Sequence, residues 1–278
     1  MIAYWRDIWK YLDPSDTDRI HLRRLCHLFN DSLGPTTEST KGMYTEYPHP
    51  NHPSLRSLFD RCKQLFEEDP RKAPTIFFIK EGDHEGGGHC LHIDYPMKIF
   101  GAGRNKTILR NTCFSIEGTK EDRKCVVVTG LTVTEWDGCG FNAEDGLSFV
   151  CDSVTFTRCT QHGLHAENTK GRLINCVITQ CGGSGIFCHQ NALIEVEGSQ
   201  TKVDGNVTSR YSGGYGLHTR DTSSTIHLLF PLTEESVSTN NHNGQNYGGK
   251  GEIAIVDNDG NTIEIINEAS EEESVNDY

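Results

Sequence analysis

The sequence has no long apolar run, which limits what the protein can be. No window approaches 18 uninterrupted apolar residues, so no membrane-spanning helix and no membrane partner are predicted. The segment Met1–Lys10 is aromatic and charged without an apolar centre, which predicts no signal peptide and a cytoplasmic or nuclear location. Apolar residues make up only 35% of the 278 residues. This length suits one large domain with an appendage, or two small domains.

Positive charge is also in short supply. The chain has 26 Lys and Arg against 39 Asp and Glu, a net charge of −13, which argues against nucleic acid as a partner. Acidic residues concentrate at the end of the chain, so residues 267–278 are predicted to form an acidic disordered tail. The 11 cysteines are an odd number and are expected to stay reduced in a chain without an export signal.

What the sequence does have is a repeat. An apolar residue directly follows a glycine at Phe141, Leu164, Ile186 and Leu217, which are spaced by 23, 22 and 31 residues. Such a period is typical of a solenoid, and two short alternating strands per repeat exclude a helical one. We therefore expect stacked coils of parallel strands, with the glycines at corners where φ is positive. The longer third spacing predicts a loop within residues 198–213.

The start of the repeat region carries a family resemblance. A strand at Thr75–Ile79 is followed by a glycine-rich turn at Glu81–Gly88 and then by Leu91-His-Ile93 and Ile99-Phe-Gly-Ala-Gly103. This order resembles the first coils of pectin-lyase-like proteins. The predicted fold class is mainly β: a right-handed parallel β-helix over residues 71–266, with a small α-helical N-terminal head and a capping helix.

The capping helix is predicted at residues 54–70. Apolar residues recur there at spacings of three and four, and Ser54 is a good N-cap residue. Such a helix suits the open end of the first coil, because solenoid ends need covering. Residues 34–53 before it are rich in Pro, Thr, Ser and His and are predicted to be an irregular linker.

The first 33 residues are predicted to form a separate helical head. Tyr11-Leu-Asp-Pro-Ser-Asp16 and Leu25-Cys-His-Leu-Phe29 stand where an F-box has its turn and its second helix, although the usual opening Leu-Pro is missing. The segment resembles an F-box, which implies docking to a Skp-type adaptor of a cullin–RING ubiquitin ligase. The residues expected to shape the adaptor-binding surface are Ile8, Leu12, Pro14 and Leu25. The alternative is a head that merely caps the coil.

The β-helix itself offers a candidate binding strip. His165 and His218 follow the repeated Gly-Leu and are expected to share one outward face, to which Phe187, His189 and Arg220 would add. Plain solvent-facing positions are the equal alternative. Asp145 and Glu167 are 22 residues apart and would give a carboxylate pair if they stack, although solvated turn residues are the more ordinary interpretation.

No enzyme site is predicted from these residues. Runs of carboxylates typical of polygalacturonases and pectin methylesterases are absent, and His84, His89, Cys90 and His92 match no zinc spacing, so no metal and no cofactor are predicted. The main functional hypothesis is a non-enzymatic protein-recognition scaffold of the F-box type, with a protein partner on the β-helix. The alternative is a pectin-lyase-like carbohydrate-active enzyme, namely a polysaccharide lyase, hydrolase or epimerase.

Overall fold

Short parallel strands joined by tight turns form the body of the protein. The computed structural model describes residues 44–118, 125–209, 213–242 and 245–267. In these residues the strands are β1 (Tyr44–Tyr47), β2 (Ile76–Ile79), β3 (Gly82–Ile93), β4 (Lys98–Gly101), β5 (Thr107–Ile116), β6 (Cys125–Thr129), β7 (Thr132–Thr134), β8 (Phe141–Glu144), β9 (Ser148–Asp152), β10 (Thr155–Thr157) and β11 (Leu164–Glu167). They continue as β12 (Lys170–Ile174), β13 (Val177–Thr179), β14 (Ile186–His189), β15 (Leu193–Glu197), β16 (Lys202–Asp204), β17 (Leu217–Thr219), β18 (Thr225–Leu229), β19 (Ser238–Thr239), β20 (Tyr247–Gly249), β21 (Glu252–Val256) and β22 (Thr262–Asn267). The helices are α1 (Leu55–Glu68) and α2 (Glu234–Val237).

The strands stack into two sheets that wind around one core. Sheet 1 runs in the order β1-β2-β4-β6-β9-β12-β15-β18-β21-β22. The second sheet divides at the long strand β5, whose first half pairs with β7 and whose second half pairs with β8. We call β7-β10-β13-β16-β19 the threonine arm and β8-β11-β14-β17-β20 the histidine arm. Among the strands of the described residues every pairing is parallel except that of β21 with β22, so the predicted parallel β-helix is confirmed.

Each strand of the histidine arm alternates between the core and the solvent. The inward positions of successive coils are apolar and stack on one another: Phe141 pairs with Leu164, Leu164 with Ile186, and Ile186 with Leu217. All four side chains are fully buried. Because side chains along a strand point alternately to opposite faces, the residues between them must face outward on every coil. This stacking of inward apolar residues produces the repeat in the sequence.

The glycines of the repeat do not occupy the positive-φ corners that the sequence suggested. Those corners are taken by polar residues, such as Asp145, Asn168 and Gln190 after successive strands of the histidine arm. The glycines are needed because of crowding: a Cβ at Gly163 would lie 2.1 Å from Ile178 Cγ2. Asn and Asp tolerate the left-handed conformation through local hydrogen bonds, so the corners do not require glycine. Glycine is required instead where the two arms lie too close for a Cβ.

Helix α1 covers the first coil. Ser54 and Ser57 form a reciprocal capping box at its start, and Leu55, Leu58, Phe59 and Cys62 are buried. The ring of Phe59 lies 4.5 Å from that of Phe77, which closes the N-terminal end of the apolar core. The fold class with its capping helix is thus confirmed for the residues that the structure describes.

Several local predictions need correction. Residues 44–47 of the predicted linker form β1, because they pair with β2 at the edge of sheet 1. The predicted glycine-rich turn at Glu81–Gly88 is, from Gly82 onward, part of the strand β3, which accommodates its glycines in a register shift opposite β5. Part of the predicted loop within residues 198–213 is β16, which continues the threonine arm.

Two further predictions lie at the ends of the chain. The helical head at residues 1–33 lies outside the described residues, and so does the predicted acidic tail at residues 267–278 except for Asn267, which is the last residue of β22. Within the described part of the chain, no helix is both long and apolar enough to cross a membrane.

Candidate functional site

The outward face of the histidine arm places two rows of side chains side by side. The first row contains, on successive coils, Asn142, His165, Phe187 and His218. The second row contains Glu144, Glu167 and His189. All seven are half-buried, so they form a continuous surface of polar and aromatic groups that solvent can reach. Parallel neighbouring strands lie about 4.8 Å apart, which sets the spacing along each row.

The structure brings together most of the predicted binding strip. Phe187 lies between His165 and His218, with ring centroids at 5.3 Å and 4.9 Å. His189 lies 6.4 Å from His165, one row away. Arg220 follows β17 at the level of the second row, where its backbone N–H donates to Cys188 O at 2.9 Å, and it is exposed. The role of the strip in binding stays a prediction.

Two aromatic residues that sequence reasoning missed extend this surface. The ring of His162 stacks on Phe187 at 4.3 Å with an angle of 11° between the planes. Tyr215 meets His218 edge to face at 5.1 Å. Both stand two residues before the inward apolar residue of their coil, so this shared phase of the repeat was the signal that could have identified them.

A hydrogen-bonded chain of three residues orients His165. The Asn142 amide donates from Nδ2 to Glu144 Oε1 at 2.7 Å, and its Oδ1 lies 2.6 Å from His165 Nδ1. Since an amide oxygen only accepts, Nδ1 of His165 carries the proton. Neutral His165 therefore has the lone pair on Nε2, which makes this nitrogen a proton acceptor or a metal ligand.

Ser184 organises the other side of Phe187. Its backbone N–H donates to His162 Nδ1 at 2.9 Å, and its Oγ lies 3.0 Å from His218 Nδ1. The same Oγ accepts from the backbone N–H of Tyr215 at 3.2 Å, which leaves the hydroxyl proton for His218. Both imidazoles thus use Nδ1 as an acceptor, and their Nε2 atoms carry the proton in the neutral form.

Three imidazoles of this surface, those of His162, His165 and His218, have lowered pKa values that favour the neutral form. Burial, helped by the neighbouring His165 and His218, lowers the pKa of His162 to about 4. Burial and the charge of Arg220 lower the pKa of His218 to about 4 as well. Burial also lowers the pKa of His165, against the opposing pull of Glu144 and Glu167. Partial removal from water disfavours the charged form of an imidazole, which explains the common direction.

His189 lies between two carboxylates. Its Nδ1 is 3.4 Å from Glu167 Oε2, and its Nε2 is 4.0 Å from Asp221 Oδ2. Asp221 accepts from the backbone N–H of Gln190 at 2.7 Å and from Ser223 Oγ at 2.6 Å. Burial raises the pKa of Asp221, but these hydrogen bonds outweigh it, and the pKa lies below the usual value. Asp221 is therefore a fixed, ionised partner.

The carboxylate pair expected from the spacing differs by one residue from the pair in the structure. Glu167 pairs with Glu144, not with Asp145. Asp145 sits at the corner with a φ of 41° and accepts from Asn168 Nδ2 at 2.8 Å. A one-residue change of register moves a side chain to the other face or into the corner, so spacing alone could not decide between the two acids.

The described residues contain one place where three groups could hold a metal ion. One ligand atom each of His165, Glu167 and His189 lies within 4.8 Å of the other two. The histidines considered in the sequence do not gather: His84 is buried beside Tyr47 with Nε2 2.9 Å from Lys80 O, while His89 and His92 are exposed on β3.

The arrangement has clear chemical capabilities. Carboxylates on neighbouring coils, neutral imidazoles and a stacked aromatic ring can bind a polar ligand with apolar faces and move protons on it. The cysteines of the core contribute nothing to this surface: Cys159 and Cys181 are buried, as expected for small stacked thiols.

Comparisons with known proteins concern the fold. No protein-family model and no curated protein matches the chain. Among solved structures, the catalytic domain of a GH87 α-1,3-glucanase in complex with nigerose matches with 13% identity and a TM-score of 0.47, over 81% of this chain and 46% of that one. A variant of it in complex with tetrasaccharides matches with 12% identity and a TM-score of 0.47, over 70% and 40%. Geobacillus virus E2 ORF18 matches with 10% identity and a TM-score of 0.33, over 66% and 53%.

These findings correct the main functional hypothesis. The chain spans less than half of the glucanase catalytic domains that it matches, and the low identity shows only a shared type of fold. The prediction of a non-enzymatic F-box-type scaffold is contradicted: no family model matches the chain, and the solved structures found for it include α-1,3-glucanase catalytic domains. Ile8, Leu12, Pro14 and Leu25, on which it rested, lie outside the described residues. The predicted protein partner stays untested.

Proposed function

We propose that this protein is a carbohydrate-active enzyme that hydrolyses a polysaccharide lying across the histidine arm. The observation that carries the proposal is the pairing of Glu144 and Glu167 at the same position of neighbouring coils, beside the imidazole of His165. Glycoside hydrolysis uses two acidic groups that bracket the bond, separated by about 5–5.5 Å or about 6.5–9.5 Å depending on the stereochemistry. Strands about 4.8 Å apart place two carboxyl groups near this range.

The first row provides a surface for the sugar. Phe187 offers an aromatic ring that is stacked on His162 and flanked by His218, so its orientation is fixed. Aromatic rings pack well against the apolar faces of sugar rings while the hydroxyls reach polar neighbours. Because the two rows run along the stacked coils, an extended chain can contact several coils at once.

The charge of the surface favours a neutral polysaccharide. Glu144 and Glu167 face the site from neighbouring coils, Asp221 faces it from the turn after β17, and the basic residue Arg220 lies beside them. The whole chain has a net charge of −13. A polyuronate would be repelled by this potential, whereas a neutral glucan would not. Elimination on uronic acids, the other alternative that the fold suggests, is therefore less well supported.

The test is release of reducing ends from a panel of polysaccharides by the full chain. The panel contains neutral glucans, among them an α-1,3-glucan, and polyuronates. We expect cleavage of a neutral member and a loss of about 100-fold or more in kcat for Glu144→Gln, since acid–base groups contribute about 10²–10⁴-fold. Glu195→Gln on sheet 1, where Glu195 pairs with Arg172, is the matched control and should retain activity.

Two outcomes would contradict the proposal. One is the absence of cleavage of any panel member by a folded, homogeneous preparation. The other is equal activity of wild type, Glu144→Gln and Glu195→Gln, which would place the reaction elsewhere. Products with an unsaturated end would identify elimination in place of hydrolysis.

A further inference from the structure

We propose that His165, Glu167 and His189 bind a divalent transition-metal ion. One ligand atom of each residue lies within 4.8 Å of the others, and Glu167 Oε2 is already 3.4 Å from His189 Nδ1. In a tetrahedral zinc site with bonds of about 2.0–2.2 Å, ligand atoms lie a little over 3 Å apart. Small side-chain rotations at half-buried positions would therefore complete the site.

The ligand set determines the kind of metal. Two imidazole nitrogens and one carboxylate are typical of Zn²⁺ and of neighbouring first-row ions, whereas Ca²⁺ and Mg²⁺ prefer oxygen ligands. Three protein ligands also leave a position open for water or a substrate oxygen, as in catalytic zinc sites. Glu167 and His189 are register partners on β11 and β14, and His165 stands two residues before Glu167 on the same outward face, so all three side chains start from one patch.

The surroundings of both histidines match those of metal ligands. His165 donates from Nδ1 to Asn142 Oδ1, and the Asn142 amide is fixed in turn by Glu144. His189 directs Nε2 toward Asp221, which Ser223 and the Gln190 backbone hold in place. Histidines that bind metals usually have such an oxygen partner on the other ring nitrogen, because it fixes the tautomer and the orientation.

Only the role of the ion in cleavage rests on the proposed function. Glu144 remains the carboxylate next to the ion, linked through Asn142 to His165. Glu167 could not act as a catalytic carboxylate while it binds the ion, and the ion would then take over the activation of water. The binding of the ion itself requires no assumption about the substrate.

The experiment is calorimetric titration of the chelator-treated full chain with Zn²⁺, Mn²⁺ and Ca²⁺ in the presence of a reductant. We expect the wild type to bind one equivalent of Zn²⁺ more than the His165→Ala/His189→Ala variant, which accounts for any binding by thiols. Asn142→Leu, which removes the partner of His165, should weaken this equivalent by about 10- to 100-fold. His227→Ala on sheet 1, where His227 faces Glu252, should bind as the wild type does.

The outcomes separate this inference from the proposed function. Equal Zn²⁺ binding by wild type and the double variant, with both folded by circular dichroism, would overturn the metal site even if polysaccharide is cleaved. Glu167→Gln, which keeps the shape of the side chain, must also lose the equivalent; if it binds like the wild type, the proposed ligand set is wrong. Zn²⁺ binding without cleavage of any polysaccharide would support the site and contradict the function. A preference for Ca²⁺ over Zn²⁺ would overturn the assignment of a transition metal.

Discussion

Acid should destabilise the fold through two imidazoles of the histidine arm. The pKa values of His162 and His218 are lowered to about 4, from 6.5 in the unfolded chain. Between these values the unfolded chain binds more protons than the folded one, so stability is full above about pH 6.5 and is lost as the pH falls toward 4. The direction is opposite to that of a histidine stabilised by a carboxylate.

The magnitude follows from the pKa difference. A shift from 6.5 to about 4 corresponds to about 3 kcal/mol for each histidine, of which about 2 kcal/mol is lost by pH 5. Because both rings are half-buried and solvent screens part of the effect, we expect about 2–3 kcal/mol for the pair. This is a large share of the 5–15 kcal/mol that stabilises a typical domain.

Urea unfolding at pH 7.5 and pH 5 measures this loss. In the double variant His162→Asn/His218→Asn, the amide oxygens can still accept hydrogen bonds from the backbone N–H and the hydroxyl of Ser184, but the new side chains do not titrate. The stability of this variant should therefore change much less between the two pH values. His92→Asn removes an exposed imidazole from the same β-helix and should show the wild-type loss. If the double variant loses as much stability as the wild type, burial of these imidazoles is not the cause.

Three further predictions concern the fold. Gly163→Ala should lower the free energy of unfolding by about 1–3 kcal/mol, because its Cβ would lie 2.1 Å from Ile178 Cγ2. Gly213→Ala is the control, since a Cβ there would have no atom within 4 Å. Similar losses of stability in the two variants would refute the crowding argument. Phe59→Ala should cost about 3–5 kcal/mol in urea unfolding by opening a cavity under α1; a loss below about 1 kcal/mol would mean that the helix does not cap the core. Ser54→Ala should cost about 1 kcal/mol through loss of the capping box, and Ser54→Asp, which restores an acceptor, should recover most of it.

Much of the architecture could be predicted because stacking imposes a repeat on the sequence. The same inward position is occupied on consecutive coils by Phe141, Leu164, Ile186 and Leu217. Because this buried position accepts only apolar residues, the repeat can be recognised in the sequence alone. The same phase indicated that His165 and His218 share a face. The helix α1 was visible from its apolar spacing and its N-cap.

The functional hypothesis failed for a different reason. It rested on a motif within residues 1–33, and a motif in a short helical segment does not determine what a separate repeat domain does. The acids of the histidine arm received little weight because the sequence showed no base and no cleft beside them, and the spacing suggested Asp145 as the partner of Glu167. The register of the strands, which places Glu144 there, is a property of backbone pairing.

The sequence by itself determined the parallel β-helix, its core positions and the outward face that carries His165, Phe187 and His218. Only the tertiary structure decided which groups on that face meet. It placed His189 between Glu167 and Asp221, joined Glu144 to His165 through Asn142, and stacked His162 on Phe187. The physical reason is that apolar burial restricts residue type at every coil, whereas contacts between outward side chains depend on register, corner geometry and rotamer, for which the sequence has no period.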